Sequence, residues 1–462
     1  RCAFISIHSR PCQREVRPLM TKLNTYERVR FIGYAIPTTP ADMVAIGDPN
    51  GSGAVAGTYR ASADFDTDIH ARAGVLKAAV DAASAAIADA PEDGVLNVFV
   101  APEFFWHGTM GPYVFAPGEQ DPADAILAVL QELFPPADYP HFLFVFGSVI
   151  SSKVADLEAV FADSSTKVRN DIVEALGKGW LESSGPLNGV VFDMFVNFVK
   201  NGHAYPKVEV RNRALILSGT PVDGVLSPLG VHALTSEKSF DSNEDFLLWD
   251  VTGKPVITEQ MTAYPVLDIT GGDFKHDAHD PHAIFQVPAA AAPVNVAVEV
   301  CLDHSDRRIR KNIDRNPWPA RADGIDLHLI PSCGMQLHAP SVGARAGGWA
   351  FNVDGQYALA PSAQPGIPTR EIVSGVESSY TDYISPAGSD YAAHSQLARV
   401  RTPAKLGDEK APGAADATFE PAPEELATVI PIAGSADLGA YFAGGGGAVH
   451  IYGLHTPLRI RP

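Results

Sequence analysis

Runs that are apolar at nearly every position, rather than at every second one, recur along this chain. They include Leu96-Asn-Val-Phe-Val-Ala101, the segment 141–150, the segment 294–300 and Ile325-Asp-Leu-His-Leu-Ile-Pro331. A strand that is apolar on both faces must be covered on both faces, which is the condition of strands inside a layered α/β domain. Helical spacing appears between them. Ile69, Ala73, Leu76, Val80, Ala83 and Ile87 fall on one face of a helix over 68–89, with Thr67 placed as its N-cap and Pro91 beyond its end. A second helix is expected over 123–134, stopped by Pro135-Pro136. Segments 28–36, 208–218 and 448–458 read as further strands, with the Gly444–Gly447 run as a turn before the last. The alternation of strand and helix predicts an α/β fold with a buried sheet.

The chain has 462 residues, enough for two or three domains at about 150 residues each. No repeat or composition shift marks a boundary, so the reading is a single domain over 26–462 behind an N-terminal extension, 1–25, of uncertain origin. Long insertions are expected near 151–200, 252–290 and 375–424. Charge and hydropathy exclude several function classes. With 54 Asp and Glu against 35 Lys and Arg, the chain lacks the clustered cations that phosphate backbones require, so no nucleic-acid partner is expected. No apolar run is long enough for a membrane-spanning helix. Four cysteines without a C-x-x-C pair suit a reducing, cytoplasmic setting better than a disulfide scaffold.

Three places carry chemistry. In Val98-Phe-Val-Ala-Pro-Glu103-Phe-Phe-Trp106 an acid follows a buried strand and precedes three aromatics. Such a carboxyl sits in a dry setting, where its pKa rises toward the range useful for proton transfer. In Asn295-Val-Ala-Val-Glu-Val-Cys301-Leu-Asp-His-Ser-Asp306 a strand delivers a thiol into a polar turn whose N–H groups can face a developing oxyanion. The third is Lys238, among small polar and acidic residues in Thr235-Ser-Glu-Lys238-Ser-Phe-Asp-Ser-Asn-Glu244. The cluster His276-Asp-Ala-His279-Asp-Pro-His282 has metal-binding residue types, but Pro281 and the lack of a helical H-E-x-x-H spacing favour a polar loop.

The order acid, lysine, cysteine on this framework resembles the nitrilase (carbon–nitrogen hydrolase) superfamily. The resemblance is carried by Pro102-Glu103 after its strand, Phe144-Val-Phe-Gly-Ser148, the turn Cys301-Leu-Asp-His304 and Ala322-Asp-Gly-Ile-Asp-Leu-His-Leu-Ile-Pro-Ser332. It covers roughly 28–150, 205–250 and 294–360, in pieces. The intervals from Glu103 to Lys238 and from Lys238 to Cys301 are longer than is usual there, and leave Lys207 as a rival for the lysine.

The resemblance implies an α-β-β-α sandwich and a Glu-Lys-Cys triad of Glu103, Lys238 and Cys301. It implies a second glutamate as well, for which Glu244 is the candidate, with Asp241 and Glu237 as alternatives. Phe104, Trp106, Leu302 and Asp303 are the expected substrate-binding residues. The activity implied is hydrolysis of non-peptide C–N bonds in small amides through a thioester on Cys301, with no metal or organic cofactor. Nitrile chemistry on the same triad is the first alternative, because Leu302 stands where nitrilases commonly carry Trp. A non-catalytic scaffold subunit of the same fold is the second. A homodimer or larger homo-oligomer is implied too, with 425–462 contributing to its interface.

Overall fold

A computed structural model describes residues 25–38, 62, 64–108, 112–115, 118–155, 207–224, 230–238, 283–305, 307–312, 324–356, 359–360, 369–370, 380–386, 392–404, 416–422, 426–433, 438–442 and 444–462. Residues 1–24, the 276–282 cluster, Asp241 and Glu244 lie outside them. So do nearly all of the expected insertions near 151–200 and 252–290.

The described chain is mixed α/β, rich in strands and poor in helix. The first strands are β1 (Arg28–Ala35), β2 (Val95–Ala101), β3 (Tyr113–Phe115) and β4 (Phe142–Ala155), interleaved with α1 (Phe65–Ala88) and α2 (Pro122–Leu133). A long hairpin follows, β5 (Lys207–Gly224) with β6 (Val231–Glu237), then β7 (Ile284–Val287) and β8 (Val294–Val298). Two short helices, α3 (Leu302–Ser305) and α4 (Arg308–Asn312), lead to β9 (Ile325–Ser332) and β10 (Ala344–Asp354). A small hairpin, β11 (Leu359–Ala360) with β12 (Thr369–Arg370), stands apart from the main sheet. The last elements are β13 (Tyr380–Ile384), β14 (Ala392–Thr402), β15 (Thr418–Pro421), β16 (Ala427–Pro431), α5 (Leu438–Tyr441), β17 (Ala448–Tyr452) and β18 (Leu458–Arg459). The described residues of 375–424 thus supply strands. β14 lies beside β10, and Leu397 within it is fully buried.

One large sheet runs β13-β14-β10-β9-β8-β7-β5-β4-β2-β1-β17-β16. It curls into a barrel-like wall, so that its two halves face each other. Phe31 on β1 meets Phe351 on β10 at 5.1 Å between ring centroids. A Cβ on Gly33 would come within 3.1 Å of Phe351 and Val353, a tight contact between the two halves. The apolar runs explain this arrangement. Val98, Val100, Leu143 and Val145 point toward Val296, Val298, Leu327 and Leu329 in one core. Phe99, Phe144 and Phe146 point the other way, into a second core beneath α1 and α2. No described helix is long and apolar enough to cross a membrane.

Helix α1 begins one turn earlier than its apolar face suggests. Asp64, not Thr67, is the N-cap: its carboxylate accepts the Thr67 N–H at 2.8 Å and the Thr67 hydroxyl at 2.5 Å. A charged acceptor at the positive end of the helix outcompetes the hydroxyl.

Gly147 connects the fold to the chemistry. Its φ is +69°, and a Cβ there would lie 2.3 Å from the Pro102 carbonyl oxygen and 2.8 Å from Phe105 Cβ. Pro102 and Phe105 flank Glu103. Gly147→Ala is therefore expected to cost about 1–3 kcal/mol from the strained backbone alone, more with the clash. A shifted urea midpoint is the expected measurement. An unchanged midpoint would show that the Glu103 loop does not need this close approach.

Candidate active site

Glu103, Lys238 and Cys301 lie far apart in the chain and meet at one point. The parallel strands β2, β8 and β9 end there, and the last residues of β9 organise the meeting. The Pro331 carbonyl accepts the Cys301 N–H at 3.1 Å, the Ser332 carbonyl accepts the Glu103 N–H at 3.2 Å, and the Cys333 carbonyl accepts the Cys301 thiol at 3.5 Å. Three successive carbonyls of one strand end thus hold Glu103 and Cys301 in register.

Lys238 arrives from the other side. It directly follows β6, and its N–H extends the hairpin by donating to the Asn212 carbonyl at 2.8 Å. That register places the Lys238 ammonium 3.0 Å from Glu103 Oε1, and the Asn212 side-chain amide 2.8 Å from the same oxygen. The Lys238 Nζ also lies 5.6 Å from the centre of the Phe104 ring. Glu103, Lys238 and Cys301 are all buried, Glu103 fully and the other two with 8% of their surface exposed.

The backbone is strained on both sides of the reacting groups. Cys301 has φ 42° and Phe104 has φ 58°, a region that costs non-glycine residues about 1–3 kcal/mol. At Cys301 the strain falls at a sharp strand-to-helix turn that lifts the thiol clear of its strand. The Leu302 N–H, next in the chain, donates to no described group, and so stands available beside the sulfur. Burial pushes the Cys301 thiol well above its ordinary pKa. The negative charge of Glu103 raises it further, and Lys238 partly offsets both. The resting group is a protonated thiol beside an acceptor.

Beneath the turn lies a buried polar cluster that sequence reasoning did not single out. Glu299, two residues before Cys301, accepts from His304 Nδ1 at 2.7 Å and from the Ile309 N–H at 2.9 Å, and faces His328 Nε2 at 2.9 Å. The outer nitrogens are both acceptors. His304 Nε2 takes the His338 N–H at 3.1 Å, and His328 Nδ1 takes the Gly343 N–H at 3.2 Å. With its outer nitrogen accepting, each ring presents a proton on the nitrogen facing Glu299. These three residues have the spacing of a metal-ligand set. A metal ligand, however, presents a lone pair where these rings present protons. The cluster reads as a hydrogen-bonded anchor for the turn. Burial pushes Glu299 up, but the hydrogen bonds from His304 and His328 outweigh it and hold the carboxyl at about 2.

Arg308 ties the cysteine turn to the lysine strand, donating to Asp303 Oδ2 at 2.6 Å and to the Glu237 carbonyl. Behind the Glu103 loop, Asp354 accepts from the Ser332 hydroxyl at 2.7 Å and the Met335 N–H at 2.6 Å. Burial dominates there and raises this carboxyl to about 7.

The expected substrate contacts divide. Phe104 and the half-buried Leu302 adjoin the reacting groups. Trp106 is fully buried in the core under α1 and α2, and its indole N–H donates to the Phe146 carbonyl at 2.8 Å. Asp303 is fully buried and ion-paired with Arg308. Both are thus placed to support the site from within. Glu237, an alternative for the second glutamate, is engaged by Arg211 through both carboxylate oxygens, at 3.0 and 2.7 Å. Lys207 begins β5, five residues before the Asn212 that reaches Glu103, so its backbone is roughly 16 Å away along the strand. The signal that would have found Asn212 is its place in Arg211-Asn-Arg213, a polar break in an otherwise apolar strand.

Compared with known proteins, the chain matches no family model and no curated protein.

Proposed function

We propose that the chain is a cysteine-dependent hydrolase of non-peptide C–N bonds, of the nitrilase type, acting on small amides. The observation that carries this reading is the meeting, at one strand end, of a buried thiol with a buried carboxylate whose partners are a lysine and an asparagine. The two facing halves of the sheet, with α1 and α2 over one of them, suit the α-β-β-α sandwich of that superfamily. A homo-oligomeric state belongs to the same proposal.

In the proposed reaction Glu103 takes the Cys301 proton as sulfur attacks the amide carbon. The Lys238 ammonium and the Leu302 N–H face the oxyanion that forms. Collapse breaks the C–N bond, and Glu103 passes its proton to the departing nitrogen, which leaves as ammonia or an amine. The thioester is then attacked by water, whose proton goes to Glu103 and onward to the returning sulfur, releasing the carboxylic acid. Leu302 beside the sulfur favours amides over nitriles.

The test is an ammonia-release screen over small amides and nitriles, with Cys301→Ala as control and intact mass to detect a thioester adduct. Turnover of an amide, a mass gain on Cys301 and loss of both in Cys301→Ala are expected. Lys238→Met is expected to lower turnover by about 10²–10³, the usual effect of removing an oxyanion donor. A raised thiol pKa also suits a non-catalytic scaffold of the same fold. No turnover and no adduct across the screen would favour that reading.

A further inference from the structure

We propose a second binding site, for a small organic phosphate, at the opposite end of the strands from Cys301. A cleft of about 570 Å³ is lined there by Arg28, Arg399 and Arg459, with His455 and a single carboxylate, Glu92. Its placement follows from the topology. Arg28 opens β1 and pairs with Val95 at the start of β2. Glu103 lies beyond the other end of β2, eight residues on, roughly 25 Å away at the rise of a strand.

Three arginines lining one cleft run against a chain whose net charge is −19. Glu92 forms an ion pair with Arg28. Arg399 and Arg459 make no ion pair among the described residues. The carboxylate opposite Arg399 in the strand register, Glu420, is drawn to Arg401 instead.

Trp349 holds the Arg399 guanidinium and the backbone of Arg459. Its indole N–H donates to the Arg459 carbonyl at 2.9 Å, and the Arg399 guanidinium lies 5.5 Å from the centre of its ring. The Arg399 guanidinium, packed in this way, loses little freedom on binding, and its planar fork of donors matches a phosphate. Beside the cations, Leu426, Pro457 and Leu458 form an apolar wall. The volume far exceeds that of a bare phosphate and falls in the usual range for small-molecule sites. The occupant that fits is a dianionic phosphate head on a small apolar body.

The test is calorimetric titration of the full chain at low salt with phenyl phosphate and with inorganic phosphate, and with succinate as a dicarboxylate control. Phenyl phosphate is expected to bind more tightly than inorganic phosphate, and succinate more weakly than phenyl phosphate. Arg399→Gln with Arg459→Gln is expected to weaken phenyl phosphate at least tenfold. Arg459→Gln alone, at an exposed position that folding tolerates, is expected to weaken it by less. Cys301→Ala should leave binding unchanged, which separates this site from the hydrolase proposal. A wild-type chain that binds neither phosphate, a double variant that binds as tightly as wild type, or binding lost in Cys301→Ala would each overturn it.

Discussion

Glu103→Gln is expected to lower amide hydrolysis by about 10²–10⁴, the usual contribution of a positioned general base, while making Cys301 easier to alkylate. The two effects have opposite signs because Glu103 acts on the thiol in two ways. In the proposed reaction it receives the proton, as an acceptor, during attack. As a buried negative charge it resists formation of a second negative charge on sulfur, and so adds to what burial already does to the Cys301 pKa. Glutamine keeps the side-chain oxygen that accepts from Lys238 and Asn212, so the local geometry should survive. It removes the charge, leaving the attraction of Lys238 for a thiolate unopposed. The measurement is iodoacetamide labelling of Cys301 across pH beside turnover. The wild type should label slowly near neutrality and faster as pH rises above 9, the ordinary thiol value, and the labelling curve of the variant should move to lower pH. If labelling and turnover fall together, Glu103 is holding the site in shape rather than moving a proton.

Removing the anchor beneath the turn should cost stability first. Glu299→Leu leaves the donors of His304, His328 and Ile309 buried without their acceptor. At about 1–3 kcal/mol for each orphaned group, a loss of roughly 3–5 kcal/mol is expected, read from the urea midpoint at neutral pH.

The pH dependence gives the same group a signature. A carboxyl held at about 2 rather than 4.5 corresponds to roughly 3 kcal/mol of preference for the charged form. Because the folded value is depressed, this stabilisation is complete above about 4.5 and disappears as pH falls toward 2. His304, which burial holds neutral in the fold, loses its contribution in the same direction, beginning as pH falls below 6.5. Asp354 works oppositely: its raised value, about 7, favours the fold at low pH and weakens it as pH rises from 3.8. Glu299→Gln should therefore flatten the stability profile between about 4.5 and 2, and leave the rise due to Asp354 in place. An unaltered acid limb would place the source of acid sensitivity elsewhere. Glu299 and His304 bracket Cys301 within five residues, so the folded fraction of the variant should also turn over more slowly.

Much of this was legible before any coordinates. Continuous apolar runs can only be interior strands, and 96–101, 141–150 and 325–331 are interior strands. The residue that follows such a run stands at a sheet end, which is why Glu103 and Cys301 drew notice from their neighbours alone. The ends of elements were less legible. Asp64 and Thr67 are both competent caps, and which one takes the N–H depends on where the chain enters the helix.

Local pattern fixes which segments are buried and which residue types sit where they end, because burial depends on the spacing of apolar side chains along the chain. It does not fix which ends meet. The choice of Lys238 over Lys207 depends on the hairpin register that sets Lys238 against Asn212. The roles of Asn212, Arg308 and Glu299 exist only once β9 lies between the cysteine turn and the Glu103 loop. Those are contacts between residues tens to hundreds of positions apart, and no property of a short window encodes them. The sequence by itself determined the strands and the reactive residues at their ends. The tertiary fold decided their partners, since hydrogen bonds and charge pairing act across space and not along the chain.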